Sequence, residues 1–162
     1  MLKIDPKKIN HIVFDHDGTL VDTNGNGQLY PGILDLLDKL GLEGLKLYVW
    51  TARTRHSTVE FLRALDIITR FEDLYCSTDS YPKPDAEGLK EMLGNVDPST
   101  VVIIGDSMSD IYDASNYGAH SIGVCWASEG DSYHKQVLLD AGAEEVASTV
   151  VECETKIFKL IR

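Results

Sequence analysis

Two carboxylates stand one residue apart in Asp15-His16-Asp17-Gly18-Thr19, directly after the apolar run HIVF. Where a strand ends and the chain leaves extended geometry, both can turn toward one place. At about 4 Å and an effective dielectric of about 20, two like charges repel by roughly 4 kcal/mol, so the pair calls for a cation or a shared proton. Gly18 permits a sharp turn, and the adjacent N–H groups can then face an anion. A second acidic pair, Asp106 and Asp110, lies in GDSMSD after the run VVII. Four residues apart at a helix start, these acids share one face near the positive end of the dipole; helix capping is the plain alternative. Hard oxygen donors gathered at one edge suit Mg2+.

Lys83, flanked by Pro82 and Pro84, sits in a stiffened loop ahead of a helix, and Thr51 closes the run YVW. Each has an ordinary reading, as a solvated lysine and as a residue approaching a helix. Placed with the acids they acquire another. Four ionised carboxylates bring about −4, and Mg2+ with Lys83 returns about +3, so a phosphate dianion repelled by the acids alone is held once the metal is present. Thr51 and the loop after Asp17 would add hydroxyl and N–H donors. A free carboxylate can then attack phosphorus while its neighbour hands a proton to the leaving oxygen.

These residues need a scaffold that brings strand ends together. HIVF, LKLYVW, LYC, VVII and HSIGVCW read as strands, separated by amphipathic stretches. Helices are expected from Pro31 to Gly41, after a capping box Ser57/Glu60, from Pro84 to Leu93, from Ser109 to Tyr117, from Ser132 to Ala141, and from Val150 to Ile161. Alternation of this kind builds a three-layer α/β/α, doubly wound parallel sheet, in which ligands lie outside the carboxyl ends of the strands. Asp15, Thr51, the Cys76 to Lys83 loop and Asp106 all fall at that edge. No repeat or linker divides residues 1–162, which read as one core domain.

The chain has 15 Lys+Arg against 26 Asp+Glu, a formal charge of −11, with 43% hydrophobic and 25% charged residues, a globular composition. The acidic excess weighs against a nucleic-acid or anionic-membrane surface, and no apolar run approaches the roughly 20 residues of a membrane span. Cys76, Cys125 and Cys153 are too scattered for a disulfide framework or a zinc site. A cytoplasmic protein is expected.

In the motifs DHDGTL, VWTAR, YPKP and GDSMSD, occurring in this order, the chain resembles the haloacid dehalogenase superfamily of hydrolases. The resemblance implies a HAD-like fold and an Mg2+-dependent phosphatase of the capless or minimal-cap kind. Asp15 would be the nucleophile, forming an aspartyl-phosphate, and also a metal ligand. Asp17 would be the general acid and base, its backbone carbonyl a further ligand. Thr51 would hold the transferring phosphoryl group with Gly18 and Ala52, and Lys83 would neutralise Asp15 and the phosphate. Asp106 would be the acidic metal ligand, and Asp110 a supporting or alternative one. The second Asp of the first motif favours phosphate ester hydrolysis over dehalogenation, on a phosphorylated small molecule or an exposed phosphate of a larger substrate.

Two features depart from that pattern. His16 occupies a position usually apolar, and either packs or contacts the acids. Many relatives insert a helical lid after DHDGTL, whereas here only Val21 to Tyr30 precede the helix at Pro31, with Asn24-Gly25 and Asn26-Gly27 suggesting a hairpin-like flap. An open site suits a large substrate, or a neighbouring subunit of a homo-oligomer acting as lid. Arg53, Arg55, His56 and the Trp126 to His134 loop are candidate rim residues. A phospho-accepting receiver domain would place Thr and Lys after its acceptor Asp, and here Thr51 and Lys83 precede Asp106. A non-catalytic phospho-ligand-binding domain is the remaining alternative.

Overall fold

The apolar runs do become strands, and their alternation shows which way each residue faces. In β1 (His11–Phe14), Ile12 and Phe14 point to one side of the sheet and Val13 to the other, all fully buried. A strand with both faces covered has no polar side, which is why these runs carry almost no polar residues. The computed structural model describes residues 8–162.

Among the described residues, five further strands join β1 in one sheet: β2 (Lys46–Trp50), β3 (Asp73–Tyr75), β4 (Val101–Gly105), β5 (His120–Val124) and β6 (Glu145–Ala147). All neighbours are parallel, in the order β3-β2-β1-β4-β5-β6. The chain winds outward from β1 to β3, returns to β4 on the other side of β1, and winds outward again. The direction reverses between β1 and β4, where a doubly wound sheet opens its ligand crevice. Asp15 and Asp106 follow those two strands.

Among the described residues, six α-helices cover the two faces: α1 (Ile33–Leu42), α2 (Arg55–Ala64), α3 (Glu87–Leu93), α4 (Met108–Tyr117), α5 (Ser132–Asp140) and α6 (Val150–Ile161). Leu36, Leu37 and Leu40 of α1, Leu62 of α2 and Ile157 of α6 pack on Ile12, Phe14, Val49 and Ile104. On the other face Leu89, Leu93, Ala114 and Tyr117 meet Val13, Tyr48, Trp50 and Ile103. Burying one such aliphatic side chain contributes about 1.5–3 kcal/mol, so both layers hold the sheet. The three-layer α/β/α expectation is met.

Several boundaries differ from the sequence reading. Helix α2 begins at Arg55 rather than with a Ser57/Glu60 box, because the Thr54 hydroxyl caps it, accepting from the Ser57 N–H at 3.2 Å. Helix α3 begins three residues after Pro84, following turns at Pro82 and Asp85. Helix α1 runs through Gly41 to Leu42. Strand β6 went unrecognised: Glu145-Val146-Ala147 holds one large apolar residue, where the equally short β3 has Leu74 and Tyr75. Residues 21–30 form a compact flap, in which Val21 pairs with Leu29 and the Asp22 carbonyl accepts from the N–H groups of Gly25 and Gly27. Among the described residues no helix is long and apolar enough to cross a membrane, and the three cysteines are free and buried.

Candidate active site

Asp15 leaves β1 beside β4, its N–H donating to the Ile104 carbonyl at 2.9 Å, which sends its side chain inward over the sheet edge. Lys83 reaches it from the loop after β3. Lys83 Nζ stands 3.0 Å from Asp15 Oδ1 and 3.3 Å from the Trp50 carbonyl, and lies 4.5 Å above the Trp50 ring. Asp110 Oδ1 is 2.5 Å from the same nitrogen, an ion-pair approach whose angles are not those of a hydrogen bond. Carboxylate oxygens of Asp15, Asp106 and Asp110 all lie within 4.8 Å of one another. At about that distance and an effective dielectric near 20, each pair of negative charges repels by roughly 3–4 kcal/mol.

The protonation tendencies follow from this crowding. Burial pushes the Asp15 carboxyl well above its usual range; Lys83 opposes the shift, and Asp110 and Asp106 add to it. Asp106 is also raised, chiefly by burial. Burial works against the Lys83 ammonium, but Asp15 and Asp110 outweigh it and hold the proton more firmly than in water. Three acids against one lysine leave the pocket short of positive charge, and its donors are hard oxygens. The residues present therefore fit a hard divalent cation.

Asp110 is also the structural residue that the capping alternative described. Its Oδ2 accepts from the Ser107 N–H at 3.2 Å and from the Ser107 hydroxyl at 2.9 Å, while Ser107 caps α4 in return. Asp106 lies before that cap rather than inside the helix, so the two acids do not share a helix face. They converge because Asp106 lies across Gly18 at the opposite loop. Gly18 has φ +78°, and a Cβ there would sit 2.1 Å from Asp106 Oδ2. Its N–H is given to the Val21 carbonyl at 3.1 Å, so the glycine serves the turn and the close approach, not the anion.

Asp17 takes a different position from Asp15. Its Oδ1 lies 2.9 Å from Arg53 Nη1 and 3.3 Å from His16 Nδ1. Burial raises its carboxyl, but hydrogen bonds from His16 and Thr23, with the charges of His16 and Arg53, bring it down to about 2. His16 is fully buried, edge-on to Phe61, so it both packs and touches an acid, Asp17 rather than Asp15. Arg53 also stacks on Phe61 and donates to Ser57. Arg55 donates to Asp79 and the Leu74 carbonyl, and His56 lies exposed beside Glu60, so neither is directed at the acids.

A cavity of about 390 Å³ opens over this floor, lined by Asp15, Asp17, Ala52, Lys83, Asp106 and Ser109 among others. Thr51 is beneath it: its N–H donates to the Tyr75 carbonyl and its hydroxyl accepts from the Arg53 N–H at 3.1 Å, leaving the hydroxyl proton to donate. A smaller cavity of about 200 Å³ adjoins between Asp17, the flap and Ala127. Sequence reasoning missed Trp50 as the aromatic face under Lys83, because a tryptophan at the end of a buried strand reads as core. It also missed Ser107, whose spacing to Asp110 is the capping signal itself.

An acid-lined crevice at the switch point of a parallel α/β sheet, with a buried lysine on its first carboxylate, defines a doubly wound α/β protein that gathers hard oxygen donors at one sheet edge. The family model described as haloacid dehalogenase-like hydrolase matches residues 25–124, a span that holds Thr51, Lys83, Asp106 and Asp110. The chain belongs to that family. It is 35% identical over 106 residues to a phosphoglycolate phosphatase of Agrobacterium fabrum, covering 62% of this chain and 44% of that protein. It is 31% identical over 105 residues to the pyrophosphatase PpaX of Bacillus velezensis, covering 62% and 48%. The chain thus spans about half the length of these curated relatives. Among solved structures, a haloacid dehalogenase-like family hydrolase of Streptococcus pneumoniae superposes with a TM-score of 0.78 at 20% identity, covering 91% of this chain and 98% of that one. A predicted phosphatase of Clostridium acetobutylicum gives 0.82 at 21%, covering 95% and 100%.

Proposed function

We propose that this chain is an Mg2+-dependent phosphatase that hydrolyses a phosphate monoester through an aspartyl-phosphate on Asp15. The observation that carries the reading is the buried Asp15–Lys83 pair, 3.0 Å apart, at the floor of an acid-lined cavity. Phosphatase-named relatives support the same reading.

Lys83 favours the ionised form of Asp15 in a setting where burial favours the neutral acid, and an ionised oxygen is the nucleophile. Asp15 attacks phosphorus, forming a new O–P bond as the bond to the leaving oxygen breaks. Asp17, at the cavity rim, supplies the proton to that oxygen. It is ionised beside Arg53 in the resting arrangement, so it first takes up a proton from solvent as the arriving phosphate dianion raises its proton affinity. Asp17 then takes a proton from the water that attacks the aspartyl-phosphate, releasing inorganic phosphate and restoring Asp15. The Ala52 edge of the cavity orients the phosphoryl oxygens, with Thr51 beneath it shaping that edge through the bond it accepts from the Arg53 N–H. Asp15, Asp106 and the Asp17 carbonyl would hold Mg2+, with Asp110 bracing Lys83. The ion would neutralise charge on the phosphoryl oxygens.

The test is a panel of phosphate monoesters assayed with Mg2+ and with EDTA, alongside Asp15→Asn. Release that needs Mg2+ and falls at least about a thousandfold in Asp15→Asn is expected, since a covalent step is lost. Release undiminished in that variant would sink the mechanism.

A further inference from the structure

The connection from β5 to α5 crosses the same sheet edge as the acids. His134, in the first turn of α5, has Nε2 2.6 Å from the backbone carbonyl oxygen of Asp106. A carbonyl only accepts, so Nε2 carries the hydrogen and donates. Nδ1 of that tautomer accepts, and the Ser128 hydroxyl 2.7 Å away donates to it, the Cys125 carbonyl at 3.0 Å being the other acceptor within reach of the same hydrogen. The same connection is fastened to the opposite loop, because Trp126 Nε1 donates to the Thr19 carbonyl at 3.1 Å. Both acid-bearing loops are thus tied to one segment of chain.

We propose that His134 is a positioning residue for Asp106, setting the peptide from which this carboxylate enters the metal pocket; the inference rests on the metal reading above. Asp106 needs such a brace for three reasons. Its carbonyl lies past the last pair of the β4–β5 register, Gly105 with Gly123, and before the Ser107 cap, so neither sheet nor helix fixes it. Its side chain is pressed against Gly18 on one side. Asp110, within 4.8 Å, repels it on the other. A peptide free to rotate would let the carboxylate swing out of this crowd. The His134 N–H, held in line by Ser128, prevents the rotation. Loss of a partner of this kind behind a ligand typically costs about 10–100-fold in metal affinity.

The experiment titrates Mg2+ into the intact chain by isothermal calorimetry, with wild type, His134→Gln and His134→Asn. A glutamine amide nitrogen reaches about as far as Nε2, and an asparagine nitrogen only as far as Nδ1. His134→Asn is expected to weaken Mg2+ about tenfold and His134→Gln less than about twofold, with similar thermal midpoints for the metal-free proteins. Unchanged affinity in His134→Asn overturns the positioning role and leaves the metal reading standing. Equal losses in both variants overturn it too, because ring packing and not the Asp106 contact would then be responsible. If wild type takes up no Mg2+, the metal reading and this inference fall together.

Discussion

Lys83 Nζ stands 3.0 Å from Asp15 Oδ1 with the two side chains only 7% and 11% exposed, so the pair is shielded from solvent screening. Removing one partner of a buried pair typically costs about 3–5 kcal/mol, because the other charge is left uncompensated. In Lys83→Met the outcome divides between lost stability and proton uptake by Asp15. Denaturant unfolding at pH 7 is expected to show a loss of about 3 kcal/mol or less, and phosphate release to fall at least about a hundredfold. Full activity in this variant would mean that Lys83 does not sustain the Asp15 charge.

The fold was legible because buried parallel strands write themselves as short apolar runs: HIVF and VVII are β1 and most of β4. Asp15, Lys83, Asp106 and Asp110 were legible for the same reason, since a doubly wound sheet brings residues after its strands to one edge. What was hidden depended on side-chain direction. The acids Asp15 and Asp17 part company because Arg53 and His16 draw Asp17 away, and no spacing rule encodes that. The Gly18 N–H turns back to Val21, and Ala52 rather than Thr51 faces the cavity. The His134 contact joins residues 28 apart in sequence across two loops. Strand β6 failed for want of large apolar residues.

Arg53 holds Asp17 through a 2.9 Å contact while its guanidinium lies 4.6 Å from the Phe61 ring centre. Arg53→Met keeps much of the packing and removes the charge. Burial, already the largest influence on Asp17, then meets less opposition, and the carboxyl rises from about 2. The rise is expected to be about one unit or less, because the site is partly exposed. Carbon-detected NMR of the Asp17 carboxyl checks it, and an unmoved titration would show that the His16 and Thr23 contacts suffice.

Gly18→Ala combines two penalties. Its φ of +78° is disfavoured for any residue with a Cβ, and that Cβ would sit 3.0 Å from Asp106 Cγ as well as on its Oδ2. The backbone strain alone costs about 1–2 kcal/mol. Asp106 can relieve the clash only by shifting from its present place among the three carboxylates. Calorimetric titration is therefore expected to show Mg2+ affinity lowered by more than the stability loss accounts for. Unaltered Mg2+ binding would mean that Asp106 takes no part in holding the ion.

Asp113, one turn beyond Asp110 on α4, is 5% exposed, and its Oδ2 has no hydrogen-bond partner among the described residues. Burial, reinforced by Asp110 and opposed by Lys83, raises its carboxyl to about 6. For an acid whose folded value exceeds its unfolded one, the folded state holds more protons between the two values. Stability therefore falls as pH rises through the window from about 4 to about 6, and the contribution is unfavourable above it. At about 1.4 kcal/mol per unit, this is a penalty of roughly 2–3 kcal/mol at neutral pH. Asp113→Asn removes the charge while keeping the shape. It is expected to be about 2 kcal/mol more stable than wild type at pH 7.5 and nearly equal at pH 4, by urea unfolding at several pH values. A difference that does not change with pH would mean that Asp113 titrates normally and that its burial is relieved in solution.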